Sequence, residues 1–428
     1  MKPLEVLFVS MHYAPEPCDS RTSVLASSLA RMGHRSTVLT SFPNYPFGKV
    51  YDGYKQKMWS VEQADGVKVV RVPMVPDHSK SVFRRGLSYA SFFASASVLG
   101  PSQVGRPDLV WIHHPPLTTG MAGRWISRLK RAPFVYEVHD LWPETLVSTG
   151  MVKEGLATKV IRRTCKSIYR RAAAVVVTSE GMKEHLAAQG VREDKIHVIP
   201  QWADESSLER VARNAAFGES HGLTGKFNVL FTGNVGVAQG LDTMLQAALR
   251  LRGVPDVQFV VVGSGVEADR LSAKAQALRL DNVKFIGQVP KEELPPFYSW
   301  ADALLVHLRD EPLFSITVPS KLQTYMHAGR PVLCGVAGDA ARIVEESGSG
   351  LAFAPGDADE MALAVRRMHA LPGSIREKIG TVARNAYEEQ FAASKSVARY
   401  EQIFGSLTGR YTLEESEEPV GQEQRLSA

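Results

Sequence analysis

The chain has 428 residues, 44% of them hydrophobic and 22% charged, and its 50 Lys and Arg against 45 Asp and Glu leave a net charge of +5. That length exceeds one ordinary core and divides into two or three domains of about 150 residues each. No apolar run approaches the roughly 18 residues of a membrane span. No zinc spacing or aromatic single-strand platform accompanies the basic residues, which argues against nucleic acid as a partner.

Residues 4–10 (LEVLFVS) read as a strand that starts almost at Met1, leaving no room for a signal peptide. Cys18, Cys165 and Cys334 are few, odd in number and far apart, so a reduced, cytosolic compartment is expected. A helix follows in SVLASSLARMG, with Leu25, Leu29 and Met32 at helical spacing and Gly33 as its C-terminal cap. After strand STVLTS comes a long aromatic and proline loop, residues 41–54, which is costly unless it shapes a binding surface. Its Tyr51-Asp52-Gly53-Tyr54-Lys55 fits the Y-x-x-x-K spacing of short-chain dehydrogenases, but the central Asp and Gly argue for a turn. Strand VKVVRV (67–72) precedes Arg84-Arg85 and the aromatics Tyr89, Phe92 and Phe93; residues 87–100 are too short and too serine-rich to span a bilayer.

Further strands are expected at 108–114, 132–139, 173–179 and 195–200. Between them lie Arg124, Arg128, Lys130 and Arg131, and seven Lys or Arg with the single acid Glu154 over residues 153–171. Such faces are either plain solvated surface or contacts with an anionic membrane. The segment YEVHDLWPE (136–144) ends a strand with His139, Asp140 and Glu144 together. A strand-terminal His-Asp pair can orient a hydroxyl or accept its proton, and equally it can be structural.

A polar stretch over 204–225 separates this series from a second one: 227–233, 257–265, 282–289, 301–308 and 331–336. Short β-branched runs alternating with helical patterns predict two parallel sheets, each covered on both faces. GNVGVAQG (233–240) links a strand to a helix, but its G-x-x-G-x-x-x-G spacing reads as a phosphate loop more than an NAD site. TVPSKLQTYMHAG (317–329) places Pro319, Ser320 and Lys321 at a helix start after a strand-like run, where open N–H groups and the macrodipole suit a phosphate. An ordinary capped helix with a solvated lysine is the alternative. Asp357-Ala358-Asp359 matches the D-x-D metal pattern, yet it opens an apolar helical run, which makes Asp357 an N-cap. A helix is expected from about Ala393, returning to the first domain or not, and the tail 411–428 is acidic and expected to be disordered.

Taken in order, YAPEP…GHRSTVLT, NYPFGKVYDGY, YEVHDLWPE, VVVTSEGMKEHL, IHVIPQWAD, FTGNVGVAQGLD, VVGSG and VPSKLQTYMHAGRPV resemble the family-4 glycosyltransferases of the GT-B fold. Within that family the chain is most similar to bacterial enzymes of surface-polysaccharide assembly, such as the fucosamine transferases of O-antigen synthesis. The resemblance implies an α/β chain of two doubly wound Rossmann-like domains facing a cleft. Residues 1–205 would take the acceptor, 206–395 the nucleotide-diphosphate sugar, and 396–410 would form a terminal helix. It implies hexosyl or N-acetylaminosugar transfer with retention, no cofactor and no metal, and a lipid-linked or other glycan acceptor, met in the cytoplasm or at the inner face of the cell membrane. His139 and Asp140 fall at its catalytic positions. Gly233, Asn234, Gln239, Gly240, Gly263, Ser320, Lys321, Leu322 and Thr324 fall on the donor side, with Glu311, Glu144 and Asp339 as further candidates.

The departures are specific. Asn234 and Gln239 stand where most members carry Arg and Lys, and the family's E-x7-E pair falls on Ile316 and Thr324. Glu311 replaces the first glutamate only if the loop is longer. Lys321 and backbone amides would then carry the phosphate charge. A sugar-nucleotide epimerase and a non-catalytic scaffold of the same fold are the competing expectations.

Overall fold

Strands such as VQFVVV are buried along their whole length instead of alternating, which a parallel sheet achieves only when helices cover both its faces. In the computed structural model, which describes residues 3–17, 20–79 and 81–410, two such sheets form. The first comprises β1 (Glu5–Val9), β2 (Arg35–Ser41), β3 (Ser60–Ala64), β4 (Val67–Val72), β5 (Leu109–His114), β6 (Phe134–Val138), β7 (Ala174–Val177) and β8 (Ile196–Val198). Their order is β3-β4-β2-β1-β5-β6-β7-β8, parallel except for β3. The second comprises β9 (Phe227–Thr232), β10 (Val257–Val262), β11 (Val283–Gly287), β12 (Ala303–His307), β13 (Val332–Gly335) and β14 (Gly350–Ala352), in the order β11-β10-β9-β12-β13-β14.

Each sheet reverses its winding once, between β1 and β5 in the first and between β9 and β12 in the second. Loops that leave the carboxyl ends of strands at such a switch point form the ligand crevice of open α/β sheets. The glycine run follows β9, and the turn at Pro319 follows β12, so both belong to that crevice.

Two strands were not anticipated. β3 (SVEQA) is a polar, alternately exposed edge paired antiparallel to β4, and β14 has three residues. β4 keeps its expected bounds and β2 gains Arg35, while the remaining expected strands are one to three residues shorter, because residues such as Ser179 serve the next helix, its side chain accepting from the Met182 N–H. Met32 lies beyond the helix Ser20–Arg31 and is exposed, whereas Leu25 and Leu29 are fully buried. The interval 204–225 is no loose linker: Leu208 and Leu223 pack into the second core, and Ala215–Ser220 is helical. Residues 51–55 turn, with Gly53 at φ 86° and the Tyr54 N–H on Tyr51 O. Residues 87–100 lie inside the helix Val82–Gln103, and no described helix is long and apolar enough to cross a membrane. The tail 411–428 lies outside the described residues.

The chain crosses back between its last two helices. Tyr387 and Phe391, in and just after Gly373–Gln390, belong to the second core. Val397, Tyr400, Ile403 and Phe404 of Ala393–Leu407 join Leu25, Leu29 and Trp111 in the first. Their spacing gives one apolar helical stripe. Phe404→Ala, at a side chain with no exposure, costs about 3–5 kcal/mol and lowers the urea midpoint of the first lobe in fluorescence-detected unfolding.

Candidate active site

Pro319 precedes the helix Ser320–Ala328 with an extended backbone and no side-chain cap. The N–H groups of Ser320 and Lys321 therefore lack the carbonyls that an interior turn provides. Beside them lies Lys321, whose ammonium sits 5.0 Å from the centre of the Phe231 ring. A Cβ on Gly233 would come within 3.0 Å of that ammonium, so the glycine leaves room for it. Burial lowers the Lys321 pKa to about 8. Among the described residues no carboxylate pairs with it. A buried cation without a counter-charge is costly in the empty protein and points to an anion that fills the site.

The glycine loop is clamped to the end of β10. Gly233 N–H donates to Val262 O and Val235 N–H to Ser264 O, each at 2.8 Å. Gly263, at φ 151°, approaches so closely that a Cβ would lie 1.9 Å from Gly233 O. Gln239 closes the loop: its side-chain oxygen accepts from Gly236 N–H at 3.0 Å, and its carbonyl accepts from His307 Nδ1 at 2.7 Å. His307 Nε2 accepts from Gly356 N–H, and burial depresses its pKa against the opposing pull of the Gln239 bond, so the ring is neutral.

Across a cavity of about 330 Å³ stand His139 and Asp140, just past β6. His139 Nε2 bonds Glu137 Oε1 at 2.7 Å, and its Nδ1 meets the Gln201 amide nitrogen at 3.0 Å. Glu137 is fully buried and also takes the Arg21 Nε–H and the Tyr400 hydroxyl. Burial pushes the Glu137 pKa up, but Arg21 and His139 outweigh it and hold it at about 2. Arg21 donates as well to Ile199 O, Pro200 O and the Tyr400 oxygen, and stacks 4.1 Å from the Trp202 ring centre. For Asp140 burial dominates and raises the pKa, against a smaller lowering by His139.

The structure thus brings His139, Asp140, Gln239, Ser320 and Lys321 to one cavity, with Gly233 behind the lysine. Asn234 is exposed on the loop, and Gly240 makes its left-handed turn beside Arg309. The remaining candidates serve elsewhere. Leu322 points wholly into the core, and its N–H is taken by Pro319 O at 2.9 Å. The Thr324 hydroxyl bonds back to Ser320 O, and Gly263 supports the loop from behind. Glu311 pairs with Arg309 at 3.2 Å and Glu144 with Arg162 at 3.3 Å. Asp339 accepts from Gly181 N–H at 2.8 Å, a contact between the lobes. Asp357 caps its helix by accepting from Asp359 and Glu360 N–H, while Asp359 pairs with Arg250.

Glu137, Arg21, Gln201, His307 and Tyr400 were not singled out from the sequence. One signal was available: Glu137 is an acid in the middle of a strand buried on both sides, a place where carboxylates occur only when paired.

Residues 19–202 match the glycosyl transferase 4-like domain, and residues 226–370 match the glycosyl transferases group 1. The chain is 26% identical over 411 residues to WcaI of Escherichia coli K12, a glycosyl transferase named for colanic acid biosynthesis, covering 92% of this chain and 98% of that protein. Among solved structures, sucrose-phosphate synthase of Thermosynechococcus elongatus superposes with a TM-score of 0.72 at 18% identity, over 95% of this chain and 99% of the other. HepE of Anabaena, solved in complex with UDP-glucose, superposes with 0.69 at 17% identity, over 94% and 100%.

The Lys321 environment carries a stability signature. Its pKa of about 8 lies below the ordinary 10.5, so the cost of the buried charge is fully present below pH 8 and is relieved as pH rises from there towards 10.5. Lys321→Met therefore raises the melting temperature of the ligand-free protein at pH 7, and the gain shrinks by pH 10 in thermal scans.

Proposed function

The chain belongs to the family-4 glycosyltransferases of the GT-B fold, and from that premise we propose that it transfers a sugar from a nucleotide-diphosphate donor to a lipid-linked glycan in surface-polysaccharide assembly, with retention of anomeric configuration and without a metal. The observation that carries this reading is Lys321, a buried ammonium with no counter-charge at an open helix tip. As the bond from the sugar C1 to the diphosphate breaks, negative charge grows on the leaving phosphate. A cation and backbone dipoles already in place stabilise it without reorganising. The acceptor oxygen bonds C1 and must lose its proton; Asp140, a carboxyl of raised basicity in the same cavity, is the group we assign to take it. The sugar rests against His139. UDP-glucose in HepE and the naming of WcaI for colanic acid support the donor class and the polysaccharide setting.

The acceptor's lipid gives the outer face of the first lobe a role. Phe83, Leu87, Val98, Trp125, Leu129, Leu156 and Val160 are exposed on three adjoining helices, among Arg84, Arg128, Lys159 and Arg163. Apolar side chains ringed by cations suit the surface of an anionic bilayer. We assign this face to peripheral contact at the inner side of the cell membrane.

Three measurements test the reading. Lys321→Ala removes charge-assisted contacts worth about 1.5–3 kcal/mol; calorimetry with UDP, GDP and TDP should show about ten-fold or greater loss for the diphosphate that binds, and unchanged affinity for its nucleoside. Equal losses would take Lys321 off the phosphates, and turnover abolished by EDTA but restored by a divalent ion would contradict the metal-free step. In flotation assays, binding to vesicles with anionic lipid should fall as salt shortens the Debye length from about 10 Å at 0.1 M. Equal binding to neutral vesicles would remove the electrostatic contact.

A further inference from the structure

We infer that Tyr400, on the helix that returns from the second lobe, positions His139 through Glu137, and that its hydroxyl is required to hold the imidazole in one tautomer and one orientation at the cavity wall. The inference rests on the reading of the cavity as the transfer site.

Three residues far apart in the chain meet at one carboxylate. Arg21 and His139 both reach Glu137 Oε1, and the Tyr400 hydroxyl donates to Oε2. All of Glu137 and Tyr400 is buried, and the Arg21 side chain is 7% exposed. Arg21 is in turn fixed by two carbonyls just past β8, by the Tyr400 oxygen and by the Trp202 face. Every atom that holds Glu137 is therefore itself held, and the carboxylate has one orientation available.

That orientation decides the chemistry of His139. An ionised carboxylate only accepts hydrogen bonds, so Nε2 must carry a proton; Nδ1 faces the Gln201 amide nitrogen, which only donates, and so presents its lone pair. Nδ1 meets the amide of Gln201, which lines the cavity with His139. The ring is thus set in one tautomer, with its other edge turned to a second cavity residue. Tyr400 supplies the donor on the far oxygen. Without that donor, Glu137 Oε2 is a buried acceptor with nothing to accept, and the carboxylate can turn to seek one, loosening its grip on Nε2. Burial of the Tyr400 ring against Trp111 and Phe404 explains why the helix packs there. It does not explain why the residue carries a hydroxyl.

The test uses the full chain with ring-15N-labelled histidine. The wild type should show His139 as the Nε2–H tautomer in two-bond 1H–15N spectra. Tyr400→Phe keeps the ring and should give a mixed tautomer signal, with kcat down roughly ten-fold and donor KM within about two-fold. Glu137→Gln, the same shape without the charge, should mix the tautomers as well. A wild-type His139 protonated on Nδ1 would overturn the inference without any variant. So would an unchanged spectrum in folded Tyr400→Phe, or a mixed spectrum with unchanged kcat. If no donor is turned over by the wild type, the fault lies with the transfer reading, and the spectra still decide the positioning.

Discussion

A largely buried charge with no counter-charge governs the second lobe. Lys321 lies against an aromatic ring on β9, beneath a glycine that has no side chain to displace it, at the end of a helix that no side chain caps. The ring contact offsets part of the cost of holding the cation; the missing counter-charge and the open helix start remain unfavourable in the empty protein and become favourable together when an anion enters. The surrounding backbone is correspondingly rigid. Hydrogen bonds from Gly233 and Val235 pin the loop to the end of β10, and Gln239 ties it to His307. Rigid donors aimed at one place are what a site needs if it is to stabilise charge that appears only as a bond breaks.

The first lobe answers with the opposite arrangement, a buried anion surrounded by donors. Glu137 binds Arg21, Tyr400 and His139, and so converts a strand-end histidine into a ring of fixed orientation. The cavity walls come from both lobes, so how the lobes are registered sets the site. Part of that registration comes from contacts at the seam. The Ser179 hydroxyl donates to Ile316 O at 2.6 Å, Asp339 accepts from Gly181 N–H, and Lys291 reaches Pro17 O at 3.1 Å. A Cβ on Gly181 would press within 2.8 Å of Ile316, so the seam is close-packed where the segment 312–319 meets the first lobe. Asp339 belongs to this joint, which accounts for its distance from the donor wall.

Local features of the site were legible in the sequence, and long-range ones were not. Apolar β-branched runs announced twelve of the strands, because a strand buried on both faces has no other composition open to it. β3 escaped because a polar edge strand resembles a loop. The glycine loop and the Pro319 turn were readable because their chemistry is contiguous. The Glu137 network was not, since its partners lie 116 and 263 residues away. Leu322 shows the reverse error: with Tyr325 and Met326 it forms an i, i+3, i+4 apolar stripe, and that periodicity already placed it in the core. Resemblance to the family had assigned it to the donor instead.

The missing loop cations take on a physical meaning in this setting. Where most members carry Arg and Lys, Asn234 is exposed and Gln239 uses its oxygen and its carbonyl to hold the loop and His307. An extended lysine at 239 could not accept from Gly236 N–H, so the loop's closure and a cation at that position are alternatives. In the donor site proposed here the positive charge comes from the neighbouring segment, from Lys321 on the helix after β12. Arg309, beside Gly240, is partly neutralised by Glu311. A cation at a helix start lies beside open N–H groups and is partly shielded from solvent, which strengthens its field at the cavity.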